Sequence, residues 1–431
     1  MTTAAEHLGE LLRIPTVSRA EGRDEGAFAA FRAALERLYP RTFGALEVEE
    51  VAARALLLTW RGGPGRPVVL MAHGDVVPVD GQAWSRNPFG GAIEGGAVHG
   101  RGALDDKGAL VAVLEAVESL LGDGTAPSGD VLVSIGLDEE VGGAGARAVA
   151  ALLAERGIDP ELVLDEGGAV VTGMVPGVRG PLALVGLTEK SVARVRLVAS
   201  ATAGHASAPA RGSATARLAR ALLRIERRPA PARTNPALTA MVAALGPRLP
   251  RPLAALPPAR TAALLAPVLG RAGGLPAALV RTTVAVTGLA AGTAANVLPG
   301  TAEARLNVRI APGDSVEQVL RRLRRVVRDR AVAVELDDGA DPAPPSPAEG
   351  EGWDRLTRAL AVSHPRATAV PYLMVQASDA RFFAERWRPV YRFAPFAIDR
   401  DELASIHGTD ERLRVDALEA GVAFFRALLT G

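Results

Sequence analysis

The sequence contains no cysteine, which removes disulfide frameworks, thiolate nucleophiles and thiolate metal sites together. Any metal ion must therefore be held by histidine and carboxylate. An excess of one charge sign is also missing: 49 basic residues face 48 acidic ones, so no global field draws the chain toward nucleic acid. The arginine-rich run RRLRRVVRDR at 321–330 has no aromatic residues among its charges and reads as a solvated helix face. Lysine is scarce, with Lys107 and Lys190 the only two, which reads as compositional bias. No uninterrupted apolar stretch reaches the roughly 18 residues of a membrane span. The N-terminal MTTAAEHLGELLRIPTVS lacks a basic start ahead of an apolar core, the pattern of an amphipathic helix rather than a signal peptide. A cytoplasmic location is the default expectation.

What is present is length and alternation. At 431 residues the chain exceeds one ordinary domain. From about 45 to 187, strand-like runs (ALLLTW, PVVLMAHGD, VLVSIGLDE, LVLDEGG) alternate with helical ones (GALVAVLEAVESLL, ARAVAALLAERG), which predicts βαβ units, a mostly parallel sheet and helices on both faces. After Thr188 the rhythm becomes β-α-β-β-α-β, the pattern of a small ferredoxin-like α+β layer. An Ala/Pro/Leu-rich stretch at about 229–280 interrupts it after its first helix. The proline-rich DDGADPAPPSPAEG at 337–350 reads as a linker. These patterns predict an α/β catalytic domain formed by 1–187 and 338–431, split by an inserted domain at 188–337.

Chemistry-bearing residues gather at predicted strand ends, where open α/β sheets bind ligands. His73 ends one strand, with Asp75 two residues on and so on the same face of an extended segment. Asp105 and Asp106 follow a glycine turn and precede a helix; capping needs only one of them. GRGALDD lacks the G-x-G-x-x-G fingerprint, and its acids repel a phosphate. Glu139 and Glu140 adjoin in GLDEEVGG, where successive side chains diverge, so one can hold something while the other acts on it. Asp165 and Glu166 follow in LVLDEGG. So many carboxylates at one sheet edge raise each other's pKa unless cations neutralise them, and with histidine nearby the natural cations are divalent metals, zinc among them. His407, in SIHGTDERL, offers a second imidazole.

Taken in order, HGDVVPV, GRGALDDKG, DEEVGG, LDEGG, GHASAP, NVLPG and IHGTDERL resemble the co-catalytic zinc exopeptidase and amidohydrolase family that includes aminoacylase, carboxypeptidase S, carboxypeptidase G and succinyl-diaminopimelate desuccinylase. The stretches VRTTVAVTGLAAG and SDARFF, with the large insertion, are most similar to the carboxypeptidase S branch and its animal N-acyl amino acid synthase/hydrolases. The resemblance implies a zinc-exopeptidase-like fold with an inserted lid and two zinc ions, cobalt or manganese being substitutes. It implies that Asp105 bridges them, that His73 and Glu166 complete one site and Glu140 and His407 the other, and that Asp75 orients His73. Either acid of the DEGG stretch can ligate in principle; Glu166, just before the glycine turn, is the choice over Asp165.

By the same resemblance Glu139 is the general base, His205 of GHASAP steadies the oxyanion, often across a dimer, and Asn296 of NVLPG faces the substrate. Arg309 is a candidate grip for a substrate carboxylate. The implied partners are an N-acyl amino acid or peptide substrate and a second copy through the inserted domain. The 229–280 stretch either walls an apolar acyl pocket or only packs. Where relatives carry G-G-T-D or G-N-T-D, this chain reads VQASDARF, which puts Gln376 and Ala377 at the pocket. The rival class is a non-catalytic amino-acid or peptide-binding protein on the same scaffold.

Overall fold

A computed structural model describes residues 3–175 and 178–431. Strand Gly65–His73 lies near the middle of a ten-stranded sheet, parallel to Gly129–Gly136 on one side and to Leu162–Asp165 on the other. Val390–Arg392 extends this parallel centre. Around it the sheet is mixed: Ala55–Trp60 pairs antiparallel with Gly129–Gly136, and Pro181–Glu189 pairs antiparallel with both Val170–Thr172 and Val390–Arg392. The expected sheet was mostly parallel, and five of its nine strand pairings among the described residues are, the other four being antiparallel. At one edge strand Glu47–Val51 returns through 52–54 to Ala55–Trp60, and a hairpin can only join antiparallel strands.

The period-two alternation of the central strands sorts two cores. Val68, Leu70 and Ala72 face one side, where Leu110, Leu114, Leu356, Leu418 and Phe424 pack. Val69 and Met71 face the other, against Val149, Leu153 and Phe383. Helix Lys107–Gly122 is apolar almost all round and correspondingly buried, as a helix inside a large core must be. Among the described residues no helix is long and apolar enough to cross a membrane.

The chain leaves this sheet after Glu189. Residues 191–339 hold a four-stranded antiparallel sheet ordered Thr283–Ala291, Thr301–Ile310, Ser191–Ser200, Val332–Gly339. Helices Ala214–Arg227 and Val316–Val327 bury Leu218, Ile225, Val319 and Leu323 against it. The stretch at 229–280 is helical: Pro236–Leu245 and Pro258–Ala272 share Leu238, Val242, Ala262 and Ala266. Helix Pro236–Leu245 packs on strand Thr368–Met374 of the large sheet, with Leu245 inside its core.

The two lysines are both buried and bonded to main-chain carbonyls. Lys107 Nζ donates to Leu11 O and Ile14 O. Lys190 Nζ, where the chain passes between sheets, donates to Ala278 O, Arg281 O and Thr283 Oγ1. Burial pulls each ammonium down to about 7. Each long stem carries its ammonium to buried main-chain carbonyls, a purpose that a compositional reading misses.

Candidate active site

The C-terminal ends of parallel strands deliver His73, Glu139, Glu140 and Glu166 to one edge, and the turn before helix Lys107–Gly122 brings Asp105 to it. His73 is the last residue of its strand, and its Nε2 lies 3.0 Å from Asp105 Oδ1 and 3.8 Å from Glu166 Oε1. Asp105 Oδ2 is 2.9 Å from His407 Nε2, which is 3.1 Å from Glu140 Oε1. One carboxylate thus stands between two imidazoles, each with a glutamate beside it. Neither acid of the Asp105–Asp106 pair caps the following helix through its side chain, so capping does not explain them.

Burial works to lower the His73 pKa, but the Asp105 carboxylate bonded to it and the nearby Asp75 and Glu166 carboxylates outweigh it and hold the imidazole well above its usual value. His407, bonded to Asp105 and Glu140, is pushed up to about 10. Burial and the nearby carboxylates raise Glu140 and Glu166. Glu139 is pushed up to about 8, chiefly by burial, with Glu140 adding like charge and His73 and Arg381 opposing. Arg381 Nη1 lies 3.6 Å from Glu139 Oε1.

Asp75 contributes more than an orientation of His73. His73 Nδ1 bonds the Asp75 main-chain oxygen at 2.9 Å, the carboxylate standing off at 3.5 Å. That carboxylate accepts instead from Glu139 N–H at 3.1 Å and Glu140 N–H at 3.2 Å. It therefore fixes the single turn of 3-10 helix, Glu139–Val141, that splays the two glutamates apart.

Of the two acids in LVLDEGG, Glu166 faces His73. Asp165 is turned away and accepts from Ala380 N–H at 2.7 Å. His205 and Asn296 sit on an exposed two-stranded ribbon, Gly204–His205 with Val297–Leu298, away from these contacts. The His205 ring bonds only Ser207, and Asn296 O accepts from Ala206 N–H. Arg309 is half-buried, its Nε bonded to Asn307 Oδ1; burial lowers its pKa, Glu189 opposing. Gln376 is exposed.

Several residues of the site were not visible in the sequence. Glu411 is buried with Arg101, Nη1 to Oε2 2.6 Å, and accepts from the N–H groups of Gly102, Leu104 and Asp105. Arg101 Nη2 also donates to Gly408 O, so this pair latches the Asp105 loop to the His407 loop. Both lie inside quoted motifs, which was the available signal. Asp106 Oδ2 accepts from His73 N–H while its Oδ1 is buried without a partner.

The donor set suits divalent cations. His73, Asp106 and Glu166, and likewise His73, Asp105 and Glu140, place one donor atom each within 4.8 Å of one another. They are hard nitrogen and oxygen donors, with an orphaned buried carboxylate oxygen next to them, and only a cation lets such crowded acids ionise together.

A mixed α/β sheet carrying two imidazoles and clustered carboxylates at the ends of its parallel strands defines a metal-dependent hydrolase. The sequence profile of Peptidase family M20/M25/M40 matches residues 69–431, and the chain belongs to that family. It is 32% identical to the N-fatty-acyl-amino acid synthase/hydrolase PM20D1 of Homo sapiens over 98% of this chain and 86% of that protein. It is 31% identical to the probable carboxypeptidase S-like 2 of Dictyostelium discoideum, over 99% and 84%. In fold it is similar to the M20 family metallo-carboxypeptidase Sso-CP2 from Sulfolobus solfataricus, with TM-score 0.73, 17% identity, and 100% and 99% of the chains covered.

Proposed function

We propose that the chain hydrolyses the amide bond of N-acyl amino acids or short peptides beside a free carboxylate. The observation that carries this reading is the shared acid: Asp105 reaches both His73 and His407, with Glu139 held next to them. In this reading His73, Asp105 and Glu166 hold one divalent ion, and Asp105, Glu140 and His407 a second, zinc suiting the donors and cobalt or manganese substituting. Such ions, when bound, polarise a carbonyl oxygen and bring the pKa of water toward neutrality.

Glu139 takes the proton of the attacking water and passes it to the nitrogen of the departing amine. Its burial, which raises the acid from its ordinary value, fits a group that both accepts and releases a proton near neutral pH. Asp75 keeps Glu139 and Glu140 on diverging paths. Arg309 grips the substrate carboxylate, and Asn296, on the same ribbon as His205, faces the substrate of a second copy's site. His205, exposed and bonded only locally, serves the oxyanion of a second copy's site in a homodimer formed through the 191–339 portion. The activities named for the two relatives support an acyl or peptidyl amino acid as substrate.

The test is a panel of N-acetyl and N-palmitoyl amino acids and dipeptides, each offered as the free acid and as the C-terminal amide. Release of the amino acid from the free acids alone is expected. Equal cleavage of the amides contradicts recognition of a free carboxylate.

A further inference from the structure

Outside the acid cluster, helices Ala214–Arg227 and Val316–Val327 and the start of strand Thr283–Ala291 border an open cleft of about 850 Å³ that no residue of the cluster lines. Its apolar lining is made by Leu222, Val284 and the exposed Val286, over the buried Val319, Leu323 and Val326. Its rim is basic: Arg228, Arg233, Arg281, Arg321, Arg322 and Arg325 line it against two acids, Glu226 and Asp314. The run at 321–330 is largely the solvated face expected, with Arg321, Arg324, Arg325, Arg328 and Arg330 exposed, and three of its arginines line this cleft.

The arginines are unequally engaged. Arg233 lies 3.6 Å from Asp314 and Arg321 2.6 Å from Glu317. Arg322 donates to the carbonyls of Arg228 and Pro229. Arg281 donates to Gly270 O, but its Nε is buried without a partner. Arg228 and Arg325 have no side-chain hydrogen bond or ion pair among the described residues.

We propose that this cleft binds an amphiphilic carboxylate, a single long acyl chain ending in an anionic head. Charge complementarity selects the head, because guanidinium groups pair with carboxylate in a planar, two-bonded geometry. The apolar lining selects the tail, and the volume lies within the range of pockets that enclose one small ligand, about 300–1,000 Å³. A single-stranded nucleic acid is disfavoured because no aromatic side chain lines the cleft for its bases to stack on. The head is either the carboxylate of a fatty acid or that of a fatty acyl amino acid, which share this chemistry. The ligand class follows from the cleft alone, whatever the acid cluster catalyses.

The experiment is calorimetric titration of the full chain with acetate, octanoate, laurate and N-lauroylglycine. The comparison variant is Arg228→Ala/Arg325→Ala, with Val284→Asp as a second variant that places like charge on the apolar lining. Affinity is expected to rise with chain length and to fall about tenfold or more for laurate in each variant, while turnover of an N-acetyl substrate stays unchanged. A preference between laurate and N-lauroylglycine identifies which head the rim was built for. Laurate binding no tighter than acetate, or binding equally to wild type and to both variants, overturns the proposal.

Discussion

Glu411 shows how much of the site depends on residues that touch no reacting atom. It is fully buried, and its two oxygens take one guanidinium and three N–H groups of the loop that carries Asp105. Removing one member of such a pair strands a buried charge, at a cost of ~3–5 kcal/mol. Glu411→Ala is expected to lose that much stability in urea unfolding and to purify with less metal. A loss under ~1 kcal/mol contradicts the latch. Of the residues that converge here, the clustered acids drew notice because paired acids beside glycine turns are uncommon company, while His73, His407 and the choice of Glu166 over Asp165 were picked out by the family resemblance. Arg101 and Glu411 did not stand out, since a charged residue in a loop looks the same whether solvated or locked onto main-chain N–H groups.

At the scale of elements, the parallel strands act together by ending in one place, and the acids they deliver are uncomfortable neighbours without cations. Glu139 has a reference value of 4.5 and is pushed up to about 8 in the folded chain. A raised pKa stabilises fully below the unfolded value and loses that contribution as pH rises through the folded one. His407, raised from 6.5 to about 10, acts in the same direction. Asp105, held below its usual value, acts oppositely only in more acidic solution. Lys107 and Lys190, pulled down to about 7, oppose only above pH 7, where they are outnumbered by the raised Glu139, Glu140, Glu166, His73 and His407. Metal-free protein is therefore expected to melt at a lower temperature near pH 8 than near pH 6. Added divalent ion should raise Tm more at the higher pH, because binding releases protons. Scanning fluorimetry showing equal Tm and equal metal shifts at both pH values contradicts this.

The strand and helix runs were legible from apolar periodicity, and so was the change of rhythm after Thr188. The antiparallel partners of the large sheet were not, because periodicity does not reveal strand direction. The helices within 229–280 were hidden by their prolines: Pro236 and Pro258 sit at helix starts, where proline is tolerated, but Pro267 lies inside a helix.

The whole molecule joins the large sheet to the smaller one at Lys190, with helix Pro236–Leu245 docked back across the join. His205 and Asn296 lie on the smaller part, remote from the contacts of the acid cluster. If a second copy supplies His205, then Glu139→Gln and His205→Ala proteins, each nearly inactive alone, should recover about a quarter of wild-type turnover when unfolded and refolded together, through mixed dimers with one intact site. No recovery from a mixture shown to contain mixed dimers contradicts supply in trans.

The central claim is that clustered acids and imidazoles hold metal while Glu139 moves the proton. It is tested most directly by measuring metal content and turnover on one preparation each of wild type and Glu139→Gln. The expected result is about two divalent ions per chain in both proteins, with turnover of an N-acyl amino acid reduced in the variant by about 10²–10⁴-fold. Undiminished turnover in Glu139→Gln, or wild-type protein that turns over substrate with no bound metal, would contradict it.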